Sequence, residues 1–422
     1  MFPRIAAALL ALTLAAPAFT ATRLTYDIQG VPTALEWAPT SFPLPYEVDR
    51  RLANLRPDAE AAVDKAFGTW SSVQDTNVRF ERRGVTDEVS DHSAGRVVVS
   101  LADDLFKGQG ALAMTTYTFD KTSGNLTDAD ILIDPSLLSG RYNLQMALQH
   151  EIGHVLGLDH SGVISAVMYP FVSNGDSPAS FDSDDRIAIA TSYPIDDPTL
   201  RGATLSGRVV GDSGAIFGAQ VVAVNEQGQP VATVLTTASG EFSVSGIPAG
   251  RYRIYAEPLD GPVDPAALRG TWRGANAVSF PTQFFGDTPI AVENGKVYGN
   301  LVVNATGPTR LNPKWVGTCA PSSPNMSLAS TPSVVQPGQT VKISIGGDGF
   351  TSGMTEFEVL NPSFRRVSNF DWSSNYVSAN FEIGADAAVG SAVVLVTSGN
   401  ETATLTGALK IHRQAKGRAA RH

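Results

Sequence analysis

Six histidines occur in the 422 residues, and three fall within one short run, His150-Glu151-Ile152-Gly153-His154-Val155-Leu156-Gly157-Leu158-Asp159-His160. Imidazoles four residues apart share one face of a helix, so His150 and His154 can both reach a single ion about 2.0 to 2.1 Å away. Gly157 lets the backbone leave helical geometry without a Cβ penalty, and the chain can then turn to bring up His160 as a third nitrogen ligand. Three protein ligands leave the fourth tetrahedral position to water, the arrangement of a catalytic rather than a structural zinc site. Glu151 follows the first ligand directly and is the candidate general base, able to take a proton from attacking water and pass it to a departing amine. A bound zinc would lower the water's pKa toward about 7 and polarise a carbonyl, a combination that an unreactive amide requires. The plain alternative is a solvated, His-rich helix. It leaves the glycine unexplained, and the five fixed residues H-E-x-x-H-x-x-G-x-x-H should coincide by chance at only about one in ten million positions.

The elements that must carry these residues are legible around them. Leu144, Leu148, Ile152 and Val155 form one apolar face of a helix expected from Asn143 to Leu156. A second helix is expected from Pro57 to Val73, with Val63, Ala66, Phe67 and Trp70 inward and proline at its first turn. Phe42–Val48, Val97–Leu101, Ala111–Phe119 and Ala129–Ile133 read as strands. Downstream, short alternating runs separated by Gly, Pro, Asn and Asp turns predict two β-sandwiches. The fold class is therefore α+β followed by two all-β domains. The expected division is a short N-terminal segment at 19–34, a catalytic domain at 35–199, sandwiches at 203–305 and 326–412, a Pro-rich linker at 306–325 and a basic tail at 413–422.

Composition excludes other classes. The formal net charge is −10 with no long basic tract, which argues against a nucleic-acid partner. Cys319 is the only cysteine, so neither an internal disulfide nor a cysteine-ligated zinc is available. Residues 1–18 read as a secretory signal: Arg4, the apolar run Ile5–Leu14, then Ala16-Pro17-Ala18. That run is too short for a bilayer, which takes about 20 apolar residues, so no membrane span and a secreted, extracellular location are expected.

The run from His150 to Ser161, followed by Val167-Met168-Tyr169-Pro170, resembles the metzincin metallopeptidases and within them the matrixin group. The resemblance implies a catalytic domain with a twisted mixed sheet and three helices, and assigns Met168 to the methionine turn beneath the histidines. It extends over about residues 35 to 195, through Tyr46-Glu47-Val48 and Ala66-Phe67-Gly68-Thr69-Trp70. Gly110-Ala111-Leu112-Ala113 resembles the edge strand on which the family lays an extended substrate, so the resemblance implies substrate contacts at Leu112, Ala113, Pro170 and Phe171. Asp184-Asp185 resembles the pair with which the family's last helix braces the methionine turn and the chain terminus.

Two departures shape the expectations. No propeptide cysteine is present, so Asp27 is the candidate for a temporary carboxylate ligand conferring latency. Met114 and Asp130 stand where animal members place structural-zinc histidines, so one zinc is expected, with calcium at Asp120, Asp128, Asp130 and Asp134 as the possible extra ion. Residues from Ser206 to Tyr252 resemble a carboxypeptidase-regulatory, transthyretin-like domain, and those from Pro337 to Val394 an immunoglobulin-like module of the TIG type. The combined reading is a secreted zinc endopeptidase acting on protein or peptide substrates, whose sandwiches either bind matrix, cell surface or substrate or merely space the catalytic domain. The competing reading is a non-catalytic adhesion or binding protein with an inactive metzincin domain.

Overall fold

The computed structural model describes residues 22–413 apart from 90–94, 103–105, 107–110, 173–179, 198–200, 260–267, 269, 273–274, 276–278 and 324–325. The expected signal at 1–18 and all but the first residue of the basic tail lie outside the described residues. The described chain opens with β1 (Thr25–Ile28) and β2 (Val31–Ala34), an antiparallel hairpin turning at Gln29 and Gly30 with φ of 55° and 83°. Those positive angles are what a two-residue hairpin turn demands. The N-terminal segment is thus not separate from the first domain, because Leu24 is 2% exposed and belongs to that domain's core.

The first domain's sheet contains β3 (Leu44–Asp49), β4 (Phe80–Thr86), β5 (Val97–Leu101), β6 (Ala113–Phe119) and β7 (Leu126–Ile133) in the order β4-β3-β5-β7-β6. The first four run parallel, and β6 closes one edge antiparallel to β7. All five residues of the central β5 are buried, the four apolar ones together with Ser100, as in a parallel strand covered on both faces. The strand β4 was not foreseen from sequence.

One short helix, α1 (Arg51–Leu55), precedes α2 (Ala59–Ser71), which buries Val63, Ala66, Phe67 and Trp70 as the apolar spacing predicts. The histidine helix is α3 (Leu144–Val155), begun by Asn143, whose side chain accepts the Met146 N–H at 3.0 Å. Its last carbonyls are taken by the domain itself: Trp37 Nε1 donates to Val155 O at 2.8 Å and Tyr193 Oη to Leu156 O at 2.9 Å. Trp70 Nε1 donates to Gln149 O at 2.9 Å, which locks α2 against α3. The last helix is α4 (Ser183–Ser192), started by a reciprocal capping box between Asp182 and Asp185.

The second domain packs two sheets face to face. One is formed by β10 (Gln220–Asn225), β11 (Pro230–Leu235), β13 (Gly250–Glu257), β14 (Gln283–Phe284) and β15 (Ile290–Val292), the other by β8 (Ala203–Gly211), β9 (Gly214–Ala215), β12 (Glu241–Ile247) and β16 (Val297–Asn304). In the third domain β17 (Asn312–Cys319), β19 (Thr340–Asp348), β21 (Phe364–Arg366), β22 (Asp371–Trp372) and β23 (Tyr376–Ile383) face β18 (Ser333–Val335), β20 (Thr355–Val359), β24 (Gly390–Ser398) and β25 (Glu401–Ile411). The expected linker at 306–325 is corrected by β17, which pairs antiparallel with β19 from Asn312 opposite Asp348 to Cys319 opposite Lys342. Pro313 and a register shift between Pro313 and Trp315 fit an edge position, where a missing N–H costs no ladder bond.

Candidate active site

The three histidines converge. Their ring nitrogens lie within 4.8 Å of one another, and no other group of three His, Cys, Asp or Glu side chains among the described residues meets that standard. His150 Nδ1 is 2.8 Å from Val167 O and His154 Nδ1 is 2.8 Å from Leu158 O. A carbonyl can only accept, so each Nδ1 carries the proton and a neutral ring presents its Nε2 lone pair. The two Nε2 atoms stand 3.1 Å apart. Two ligands of a tetrahedral zinc with bonds of about 2.0 to 2.1 Å would be separated by about 3.3 Å, so the donor set fits the ion. Burial pushes the His150 pKa down against the opposing bond to Val167, which keeps that ring in the neutral, ligating form.

The turn to His160 depends on Gly157. Its φ is +78°, and a Cβ there would lie 2.0 Å from Leu35 O. The N-terminal segment holds this turn from outside: Leu24 N–H and Arg23 Nε donate to Gly157 O at 2.9 and 3.1 Å, and Asp159 N–H donates to Thr22 O at 2.9 Å. His160 N–H donates to Asp159 Oδ1 at 2.8 Å.

Glu151 is buried on α3, and its neighbour is on the edge strand β6. Thr115 Oγ1 of β6 stands 2.8 Å from Glu151 Oε2 and 2.9 Å from the Glu151 carbonyl. Beneath the site, Met168 is buried with its sulfur where Gly153 leaves room, since a Cβ at Gly153 would lie 2.1 Å from Sδ. Asp185 accepts the Val167 and Met168 N–H groups at 2.9 and 3.2 Å, so it braces the methionine turn as the resemblance implies. Asp184 does otherwise, accepting Ser161 Oγ at 2.7 Å and the Thr233 N–H of the second domain at 2.8 Å in place of a chain terminus. Thr115, Gly153 and Asp182 were not singled out from sequence. Nothing local marks Thr115 or Asp182, and only the helix-to-methionine distance explains Gly153.

Other candidate residues fall as follows. Leu112 and Ala113 are half-buried at the start of β6, with Leu112 O accepting Asp134 N–H at 2.9 Å on the β7 side. Pro170 is half-buried and Phe171 is 46% exposed, while residues 173–179 beyond them lie outside the described residues. Asp27 stands apart from the histidines on β1, where its carboxylate accepts Gly30 N–H of the hairpin turn at 2.7 Å. The four aspartates considered for calcium do not gather. Asp120 caps its own turn through Thr122, Asp134 caps Ser136, Asp128 accepts Gly95 N–H and Asp130 accepts Val98 N–H.

Comparison with known proteins defines the class of this domain. Residues 36–194 match the matrixin family and residues 204–260 the carboxypeptidase regulatory-like domain. The first domain is a matrixin domain, of a zinc-dependent metallopeptidase family, and a carboxypeptidase regulatory-like domain follows it. Among its relatives, matrix metalloproteinase-18 of Xenopus laevis is 35% identical over 153 residues, or 34% of this chain and 31% of that protein. Metalloendoproteinase 2-MMP of Arabidopsis thaliana is 26% identical over 164 residues, 36% of this chain and 40% of that protein. Interstitial collagenase of Bos taurus is 33% identical over 165 residues, covering 37% and 33%. The chain therefore spans under half the length of each. Among solved structures, BcpA, the major pilin subunit of Bacillus cereus, aligns with 48% of this chain and 66% of its own at 11% identity and a TM-score of 0.15, too slight a likeness to bear on the fold.

Proposed function

We propose that this protein is a secreted endopeptidase that hydrolyses peptide bonds in proteins at a single zinc held by His150, His154 and His160. The observation that carries the reading is the convergence of Nε2 lone pairs 3.1 Å apart beside a buried Glu151. When bound, the ion supplies a water of lowered pKa and polarises the substrate carbonyl. Glu151 takes the proton of the attacking water on its carboxylate and returns it to the departing amine. Thr115 holds that carboxylate toward β6, whose outer edge offers backbone N–H and C=O groups to an extended peptide. Leu112 and Ala113 on one side and Pro170 and Phe171 on the other would flank the bound chain. No helix among the described residues is long and apolar enough to cross a membrane, and the apolar run Ile5–Leu14 supports export.

The intact Glu151 opposes the non-catalytic alternative, because zinc binding alone has no use for a base there. The test compares metal content and casein or gelatin cleavage for wild type and Glu151→Ala. About one zinc in each, with cleavage by wild type only, is expected from a three-ligand site with a separate base. A folded wild type without zinc would sink the proposal.

A further inference from the structure

Between the third ligand and the methionine, the chain from His160 to Met168 touches both C-terminal domains. Two buried aspartates at the start of α4 make the connection, each reaching in two directions. Asp184 accepts Ser161 Oγ with one oxygen and, with the other, the Thr233 N–H and Oγ1–H of β11 at 2.8 and 2.9 Å. Asp182 accepts Ser165 Oγ with one oxygen and the Ser391 Oγ–H of β24 with the other at 2.8 Å. Further bonds tie this segment and the approach to α4 to the third domain. Ile164 N–H donates to Thr406 O at 2.8 Å, and Lys410 Nζ, in a residue 6% exposed, donates to Ser180 O at 2.9 Å and to Ser165 O at 3.4 Å. Tyr169, next to Met168, donates its hydroxyl to Ser330 O at 2.7 Å. Ile164 and Tyr169 belong to the third domain's apolar core, and Ile187 of α4 to the second's.

A tether or recognition module needs none of this. A flexible attachment leaves the catalytic domain to satisfy its own buried polar groups, whereas here the buried carboxylates beneath the metal site are half-satisfied from outside it. We infer that both sandwiches are working parts of the metal centre: Thr233 of the second domain, and Ser391 with Lys410 of the third, are positioning residues for the His160–Met168 segment. The inference rests on the metal site proposed above. Deleting such a bond leaves a buried carboxylate short of a donor, which the segment can relieve only by moving.

The full-length chain tests this, with Thr233→Val and the double variant Ser391→Ala/Lys410→Met against wild type. Thr233→Ser, which keeps the hydroxyl, and Arg365→Ala, on an exposed strand of the third domain, serve as controls. Three quantities are read on protein of native circular dichroism: zinc release to a chelator, the visible band of the cobalt(II) form, and kcat and KM on one peptide. The expected result is release about 10- to 50-fold faster in the two test variants, within the range for partners behind metal ligands. Their cobalt band should shift and kcat should fall more than KM rises, while both controls behave as wild type. Folded test variants with wild-type release, cobalt band and kcat would overturn the inference. If the double variant fails to fold, Ser391→Ala alone carries the same comparison. A wild type that holds zinc but cleaves nothing removes the peptidase reading and leaves the release rates decisive; a wild type that takes up no metal overturns both.

Discussion

At Glu151 the structure adds a hydroxyl to what the motif implies. Thr115 Oγ1 has one proton, and it stands within bonding distance of both the Glu151 carboxylate and the Glu151 carbonyl. Donated to Oε2, that proton fixes the carboxylate's direction without a charge. Thr115→Val should therefore lower kcat about tenfold, the scale expected for a residue orienting a reacting group, with zinc content unchanged and Thr115→Ser restoring the rate. Steady-state kinetics with metal analysis decide it, and an unaltered kcat in the valine variant would remove Thr115 from the mechanism. Gly153 makes the opposite demand, for empty space. Gly153→Ala places a methyl 2.1 Å from Met168 Sδ, and overpacking of this kind costs about 1 to 3 kcal/mol. Thermal unfolding of the apo and zinc-loaded forms should show the loss in both, since Met168 packs beneath the ligands rather than on the ion. A loss confined to the loaded form would contradict that placement.

The N-terminal strap is where elements and site meet most directly. Leu24 and Arg23 lie against the Gly157 turn, and Arg23 also donates to Leu35 O at 3.1 Å, so residues 22–36 cover the exit of the histidine helix. Leu24→Ala should cost about 2 to 5 kcal/mol as a large-to-small change in a closed core, measured by urea unfolding. A cost under about 0.5 kcal/mol, typical of surface positions, would mean that the strap does not support the domain. This also bears on latency: trimming past Asp27 removes Leu24 and Arg23 together with the carboxylate, so Asp27→Ala is the cleaner test of that idea. The contrast between α3 and this strap explains what sequence could and could not convey. Asn143, one apolar stripe and Gly157 sit within fifteen residues of each other, so cap, face and exit of the helix are local signals. By contrast β1 and β2 have four residues each and β17 carries Pro313, so their own patterns are weak, and the N-terminal hairpin is held in place by the Gly157 turn more than a hundred residues on. Thr115 and Asp182 were silent for the same reason, since a hydroxyl or carboxylate acquires its role from whatever packs against it.

Across the whole molecule, buried carboxylates gather where the domains meet, and they set a pH dependence. Burial, then the charge of Asp185, pushes Asp184 up to about 7 from its ordinary 3.8, against the lowering bonds from Ser161 and Thr233. Burial also raises Asp185 and, between the sandwiches, Glu257, which accepts from Gln220 and Thr406 at 2.6 Å each. A carboxyl whose pKa is higher folded than unfolded binds its proton more tightly in the native state. Its contribution to stability is whole below the unfolded pKa and is lost as pH rises through the folded one. For Asp184 the decline runs from about pH 4 to about pH 7. Asp184→Asn has no proton to lose, so its melting temperature relative to wild type should become more favourable as pH rises across that window, then level off. Calorimetry of the apo proteins at half-unit steps from pH 4.5 to 8 measures the difference free of metal binding. A difference that stays constant with pH would show that Asp184 ionises at its ordinary value despite its burial. The junction of the three domains would then be hydrated enough to carry a charge, and its hydrogen bonds to Ser161 and Thr233 would no longer be those of a dry interface.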